Sequence, residues 1–525
     1  MLNTCFSVVA LLSLLFALRL RVVTPAPLPG VVWQSSNSSA LGAEELLAFK
    51  GPVPWVAGDF DAPLTVALDF GTLFQKIHGF GTAFTEAAGL SWLALTPANQ
   101  ERLLQLYFAP PPLGLGYTTG RIPLGSPDFA TSDYALANCW NDTALACFDY
   151  NLTRDSANGV VAMLRGAAAV APSPPNFFFA PWSPPAWMKL PTAAHNYSMD
   201  GTARPVGLNP YFNRTFAKYL SAFATALKAK GVPLWGFSIQ NEPTAVAPWP
   251  QCDYTPQYAL ELIRDHVMPV MSADHPELNL LIFDHNNDVV KEWVTTLLTD
   301  ATVADYAWGT AVHGYSAQAN QRNLNASHYV APGSHILHTE TCNCLGGPAG
   351  NRPVLRGASP LWWGFGEHYA YEIMGFLQNW AEGFTDWNAL LNAEGGPSHQ
   401  RGFGCDAPLF SDGRGDFVQQ ASYFVTAHFS QFLPPGTQVV GVMGAAGAAP
   451  AFPPSGSFYQ QTVGTGGPLG NLGFVAGVQP NGTVSLVVFN GGGSAVNLKL
   501  RVPGDGGPFF ANLTLPAHAL QTLSW

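Results

Sequence analysis

Between about Gly71 and Pro434 the chain alternates short apolar runs with longer stretches whose apolar positions recur every three or four residues, the pattern of repeated βα units. Eight runs read as strands: IHGFG (77–81), YTTGRIP (117–123), NFFFAPW (176–182), LWGFSIQ (234–240), LNLLIFD (278–284), GTAVHGY (309–315), HILHTE (335–340) and GFTDWN (383–388). TPANQERLLQLYF opens a helix on Thr96 as N-cap, with Pro97 in the first turn, where a missing N–H costs nothing. YFNRTFAKYLSAFATALKAKG places Phe212, Phe216, Leu220, Phe223 and Leu227 on one face before Gly231 ends it, and TPQYALELIRDHVMPVM repeats the Thr-Pro start at Thr255 and Pro256. Eight such units predict an α/β fold of the (β/α)8 TIM-barrel type.

Beyond about residue 435 the helical period disappears. NLGFVAGVQPNGTVSLVVFNGGGSAVNLKLRV and FFANLTLPAHALQTLSW read as strands joined by turns, with Asn481-Gly482 as a hairpin signal. VVWQSS and LTVALDF, ahead of the barrel, are strand-like as well. The expected organisation is a barrel over 73–434 and an associated all-β sandwich built from 26–72 and 435–525. Residues 1–25 read as a signal peptide: the apolar stretch from Cys5 to Leu18 is followed by Arg19 and Arg21. No basic residue precedes that stretch and no clear small-x-small site follows it, so an uncleaved anchor is the alternative.

Composition narrows the class. Of 525 residues, 47% are hydrophobic and 11% charged, yet no later run reaches the roughly 18 apolar residues of a spanning helix, which predicts a soluble mature protein. A formal charge of −11 without a Lys/Arg cluster argues against nucleic acid as a partner. N-x-S/T sequons at Asn37, Asn141, Asn151, Asn196, Asn213, Asn325, Asn481 and Asn512 agree with passage through the secretory pathway. Cys139 and Cys147 bracket a short polar loop that a disulfide could close; Cys252, Cys342, Cys344 and Cys405 read as free or structural thiols. In SHILHTETCNC, His335 and His338 point to opposite strand faces, which argues against a metal site with the two cysteines. Nothing in the sequence calls for a cofactor.

Residues at the carboxyl ends of barrel strands face the active site. Those ends carry Arg121 and, just beyond, Asp128; Trp182; Asn241 and Glu242; His313 and Tyr315; Glu340; and Asp386, Trp387 and Asn388. Carboxylates, aromatics and amides converging without phosphate-binding glycines suit a sugar. Glycoside cleavage needs one protonated carboxyl and one ionised carboxylate, and Glu242 and Glu340 can supply them; a separation of roughly 5 Å would mean retention of configuration. Glu242 would then need a raised pKa, which burial and a neighbouring carboxylate can provide. An isolated Asn-Glu-Pro would read more simply as an acidic helix start. The barrel context and Glu340 favour the catalytic reading.

At these residues the sequence resembles the glucosylceramidases (acid β-glucosidases) of glycoside hydrolase family 30. FQKIHGFGTAFTEAA, GRIPLGSPDF, APWSPPAWMK, QNEP, AVHGY, HTETC, GFTDWNALLNAEGGP and HFSQFLPPG occur in the family's order. The resemblance implies Glu242 as acid/base, Glu340 as nucleophile, and Asp128, Trp182, Asn241 and Trp387 as the residues that hold the glucose. It also implies that His313 and Tyr315 line the pocket and that Arg121 supports it. Glucosylceramide in membranes or lipid assemblies, a saposin-like activator and acidic lipids are the implied partners, and a lysosome-like acidic compartment or secretion the implied location. Gly314, His399 and Gly402 depart from the mammalian pattern, and the loop after Glu242 looks shorter, so the pocket rim is where specificity is expected to differ.

Overall fold

All eight predicted runs form strands, and all pair in parallel. The computed structural model describes residues 30–37, 45–191, 197–201, 207–316, 318–343, 361–399, 403–443 and 472–525. The leader, Asn196, Cys344 and Gly402 lie outside them. Barrel strands are β1 (Gly79–Ala83), β2 (Thr119–Leu124), β3 (Asn176–Pro181), β4 (Gly236–Ser238), β5 (Asn279–Asn286), β6 (Ala307–His313), β7 (His335–Glu340) and β8 (Gly383–Asp386). Their order in the sheet is β7-β6-β5-β4-β3-β2-β1-β8. Bonds from Glu382 N to Ile336 O and from Trp387 N to Thr341 O, both 2.8 Å, draw β8 to β7 and nearly close the barrel.

Strands covered on both faces lose the two-residue alternation, and β3 shows why. Phe177 and Phe179 pack outward among the helices, whereas Phe178 points inward with Leu281, Ala311 and Leu337. This apolar layer fills the barrel beneath the polar strand ends. Around it, the helix Pro97–Phe108 is capped by Thr96, whose Oγ1 accepts from Asn99 N at 3.3 Å, and Asn213–Ala229 buries Phe216, Leu220, Phe223 and Leu227. The third predicted helix is interrupted: Pro256–Leu262 and Met268–Asp274 flank a π-turn at Ile263–Val267. Pro269 has no N–H for the ordinary helical bond to residue 265, so a wider turn is tolerated there.

The β-sandwich domain is one ten-stranded sheet folded over its own core. N-terminal Val31–Ser36 pairs with C-terminal Ala519–Ser524, and the long strand Thr65–Lys76 lies between Gln438–Met443 and Val496–Val502. Val66, Leu68, Leu486, Val488, Leu500 and Leu523 are interior. Polar contacts of His428 and Gln75 help to fix the sandwich against the barrel. His428, on helix Ala421–Ser430, is buried between Ser35 Oγ (2.9 Å) and Thr522 Oγ1 (2.8 Å), and burial pushes its pKa down to about 3. Gln75 Nε2 donates to the carbonyls of Leu377 and Ala381, each at 2.7 Å. Residues after β8 add a three-stranded sheet, Leu391–Asn392, Leu409–Ser411 and Phe417–Gln419, that the sequence pattern did not suggest.

Cys139 and Cys147 are joined by a disulfide. Cys342 and Cys405 are also disulfide-bonded, which corrects their reading as free thiols; only Cys252 is free among the described cysteines. His335 stacks on Trp308 and pairs with Glu382 at 2.8 Å, whereas His338 stacks on Phe384.

Candidate active site

A cavity of about 290 Å³ opens at the carboxyl ends of the strands, lined by Asp128, Trp182, Asn241, Glu242, Tyr315, Glu340 and Trp387. Ala245, Val246, Ala247, Trp249, Asn286 and Phe403 complete its lining. Arg121 and His313 do not line it; they lie fully buried just beneath. Trp182 and Trp387 stack at 5.0 Å, and the Arg121 guanidinium sits 4.8 Å from the Trp182 ring centroid. Asp386 and Asn388, named with Trp387 from the same strand end, face elsewhere: Asp386 bonds Tyr369 and Asn388 bonds Thr85.

Backbone geometry places the two glutamates. Glu340 is the last residue of β7, while β4 stops at Ser238, earlier than LWGFSIQ suggested. Beyond it, Asn241 N bonds Pro181 O of β3 at 2.8 Å and Glu242 N bonds Asp284 O of β5 at 2.9 Å. The chain therefore leaves its ladder and is held between the ends of its two neighbours. Glu242 has φ +45°, in the left-handed region that side chains disfavour, a form of strain often found at active sites.

Beneath the cavity, Asp284 organises a buried network that sequence reasoning missed. Arg121 Nη2 donates to it at 2.8 Å, Ser238 Oγ at 2.7 Å, Thr339 Oγ1 at 2.8 Å and His313 Nε2 at 3.0 Å. From this base Arg121 reaches Glu340 and Asn241 Oδ1 (2.9 Å), and His313 Nδ1 reaches Glu242 Oε1 at 3.3 Å. His285 Nδ1 lies 3.6 Å from the same Glu242 oxygen, and Tyr315 OH donates to Glu340 Oε1 at 2.9 Å. The signal for Asp284 was present, because it stands at the carboxyl end of the fifth strand.

The electrostatics follow from this packing. Burial raises Asp284, but the Arg121 charge and the His313 bond outweigh it and hold the carboxyl well below its usual range. Burial lowers His313, but the charge of Glu340 and the bonds to Asp284 and Glu242 raise it to about 9. Asp128 is raised by burial and by the charges of Glu340 and Glu242, and its buried Oδ1 has no hydrogen-bond partner. Glu340 is raised by burial and by the Glu242 charge, against the lowering by Arg121 and His313. Glu242 is raised by burial but lowered more by His285 and His313. This reverses the expectation of a raised Glu242, because two imidazoles from separate strands converge on it.

Around the rim, His399 Nδ1 lies 3.0 Å from Ala130 O, and its Nε2 lies 3.4 Å from Asp133. A Cβ at Gly314 would fall 2.5 Å from Thr341 Oγ1 and 2.8 Å from Glu372 Oε2, so a larger residue would require both to move.

A nearly closed parallel barrel with two buried glutamates and a tryptophan pair at its mouth defines a glycosidase. Residues 77–433 match the glycosyl hydrolase family 30 TIM-barrel domain and 460–523 its beta sandwich domain. The chain belongs to glycosyl hydrolase family 30. It is 28% identical over 460 residues to the lysosomal acid glucosylceramidase of Mus musculus, covering 86% of this chain and 81% of the relative. It is also 28% identical over 437 residues to the endo-1,6-beta-D-glucanase neg1 of Aspergillus fumigatus, covering 80% of each. In fold, SrfJ from Salmonella typhimurium superposes with a TM-score of 0.78 at 24% identity, covering 95% of this chain and 99% of that one.

Proposed function

We propose that this glycosidase is a retaining exo-β-glucosidase that hydrolyses glucosylceramide to glucose and ceramide. The observation that carries the reading is the shape and polarity of the cavity. At about 290 Å³ it sits at the small end of ligand pockets, roughly 300–1,000 Å³, and suits one sugar ring better than a chain of them. Beside its polar groups, Asn286 among them, the lining includes Ala245, Val246, Ala247, Trp249 and Phe403, an uncharged surface suited to an apolar leaving group. The glucosylceramidase relative in mouse supports the same substrate.

In the proposed reaction Glu242 gives its proton to the glycosidic oxygen as a Glu340 oxygen bonds to the anomeric carbon and ceramide departs. Water then loses a proton to Glu242 and attacks that carbon, displacing Glu340. Asp128, Asn241, Trp182 and Trp387 would hold the sugar. Arg121 and Tyr315 donate to Glu340 and stabilise its charge. The reaction thus needs a proton on Glu242, against the direction in which His285 and His313 bias it. A substrate panel of glucosylceramide, β-1,6-glucan, β-xyloside and steryl glucoside, with NMR of the first-formed sugar anomer, tests both halves. Preference for the glucan would move the assignment toward the activity in the name of the fungal relative, and inversion would end the double-displacement mechanism.

His313 gives a pH prediction. It is cationic over the acidic and neutral range and lowers both glutamates. His313→Gln removes that charge, so both pKa values rise: Glu340 ionises later and Glu242 keeps its proton longer. Both limbs of the kcat/KM profile should move to higher pH, and an unmoved profile would contradict the arrangement.

The lysosomal relative, the disulfides and the sequons support a secretory or lysosomal location, with lipid surfaces, acidic lipids and a saposin-like activator as candidate partners. No helix among the described residues is long and apolar enough to cross a membrane. Exposed Asn141, Asn151, Asn481 and Asn512 are the expected glycan sites. Asn213 is buried and accepts the Tyr258 hydroxyl, so peptide mass mapping of secreted protein should find it unmodified.

A further inference from the structure

Glu242 cannot hold its left-handed backbone by a side-chain bond of its own to the chain, as asparagine or aspartate often does. Its neighbours hold it. Its N–H is fixed by Asp284 O, and its carbonyl accepts from Ala245 N at 2.9 Å and from the side-chain amide of Gln251. The same Gln251 Nε2 lies 3.4 Å from Asn241 O and 3.5 Å from Cys252 O, so one amide faces the carbonyls of both residues of the Asn-Glu pair. Gln251 is 1% exposed and its Oε1 has no partner, which leaves donation as the amide's contribution.

Gln251 is itself fixed from behind. Its N–H donates to Met199 O at 2.9 Å, and its carbonyl accepts from Lys189 Nζ, which also donates to Met199 O at 3.0 Å. Lys189 is fully buried, and Gly201 N bonds Trp249 O at 3.1 Å. The ammonium thus ties together the two segments at the foot of the loop after Glu242. That loop supplies Ala245, Val246, Ala247 and Trp249 to the pocket wall.

We propose that Gln251 is a positioning residue for the acid: its amide, anchored by Lys189, clamps the Asn241 and Glu242 carbonyls and keeps the Glu242 carboxyl aimed into the cavity. This rests on Glu242 being the acid/base. Gln251 is not among the residues that line the cavity. Its loss should therefore weaken proton delivery to the leaving oxygen while leaving the nucleophile untouched.

Leaving-group dependence separates these effects. An alkyl β-glucoside needs the proton, whereas a 2,4-dinitrophenyl β-glucoside departs without it. Gln251→Met, close in shape but without a donor, should lose about tenfold or more in kcat/KM on the alkyl substrate, within the 10²–10⁴-fold that general acid catalysis supplies. On the dinitrophenyl substrate it should lose less than about threefold. Gln251→Glu, which sets a carboxylate against two carbonyls, should show the same split, and the thermal melt of each variant reports whether the fold is kept. Equal losses on both substrates in a variant that melts like the wild type, or no loss on either, would overturn the proposal. Glu242→Ala, assayed in parallel with azide rescue, is the benchmark. If that variant shows no split, it is the assignment of Glu242 that fails rather than the role of Gln251.

Discussion

Glu340→Gln should reduce turnover of a β-glucoside by about 10⁴-fold or more, the scale of losing a covalent nucleophile, and abolish covalent trapping by a glucose-configured mechanism-based inhibitor. The substitution keeps the shape of the side chain, removes its charge and replaces one acceptor oxygen by an N–H donor. Arg121 retains Asp284 at 2.8 Å and Asn241 at 2.9 Å, so the base of the pocket should stay in place and the loss should fall on chemistry rather than folding. Tyr315, 38% exposed at the cavity, would lose only an acceptor. Steady-state kinetics and intact-protein mass spectrometry after inhibitor treatment check this. Activity within about tenfold of wild type, or continued labelling at residue 340, would remove Glu340 from the role of nucleophile.

Asp284→Asn is expected to have the second largest effect, on stability as well as activity. Asp284 is buried and faces two cations and two hydroxyls. Neutralising one member of a buried ionic network leaves charge uncompensated and typically costs about 3–5 kcal/mol. Arg121 would then lean on Glu340 alone for charge, and His313 would lose one of the bonds that raise it, so the proton balance of the glutamates should change along with the melting temperature. The pH dependence has a definite sign. Asp284 has a folded-state pKa below its unfolded value of about 3.9, so its stabilisation is present above that pH and is lost as the pH falls through the folded value. The gap in stability between wild type and Asp284→Asn should hold from neutral pH to about 5 and close only in stronger acid. Thermal melts across that range test it, and a gap that closes between pH 7 and 5 would mean that some other group sets the stability.

Much of the barrel could be read from the chain because a parallel strand buried on both faces becomes a short, nearly unbroken apolar run, as in NFFFAPW. Ends were less legible than strands. The fourth strand stops at Ser238 because Asn241 and Glu242 bond across to its neighbours, and those partners are distant in sequence. At the site, position at a strand end was informative but incomplete: Asp386 shares that position with Trp387, yet its carboxyl turns away from the cavity to Tyr369 of the helix Leu361–Leu377. Cys342 and Cys405, unlike Cys139 and Cys147, do not bracket a short polar loop with each other in the sequence, so their disulfide-bonded state was not legible there.

The sequence by itself determined the order of strands and helices and put Glu242 and Glu340, the pair proposed to do the chemistry, at the ends of two of them. Those features are local, depending on the period of apolar positions and on where each run stops. Only the tertiary structure decided how those carboxyls are charged and aimed. Asp284, Arg121, His285 and His313 come from three strands and meet beneath one cavity, and Gln251 grips the Glu242 peptide from the far end of its loop. Charge interactions and backbone strain depend on distance in space, and a chain read in order does not contain those distances.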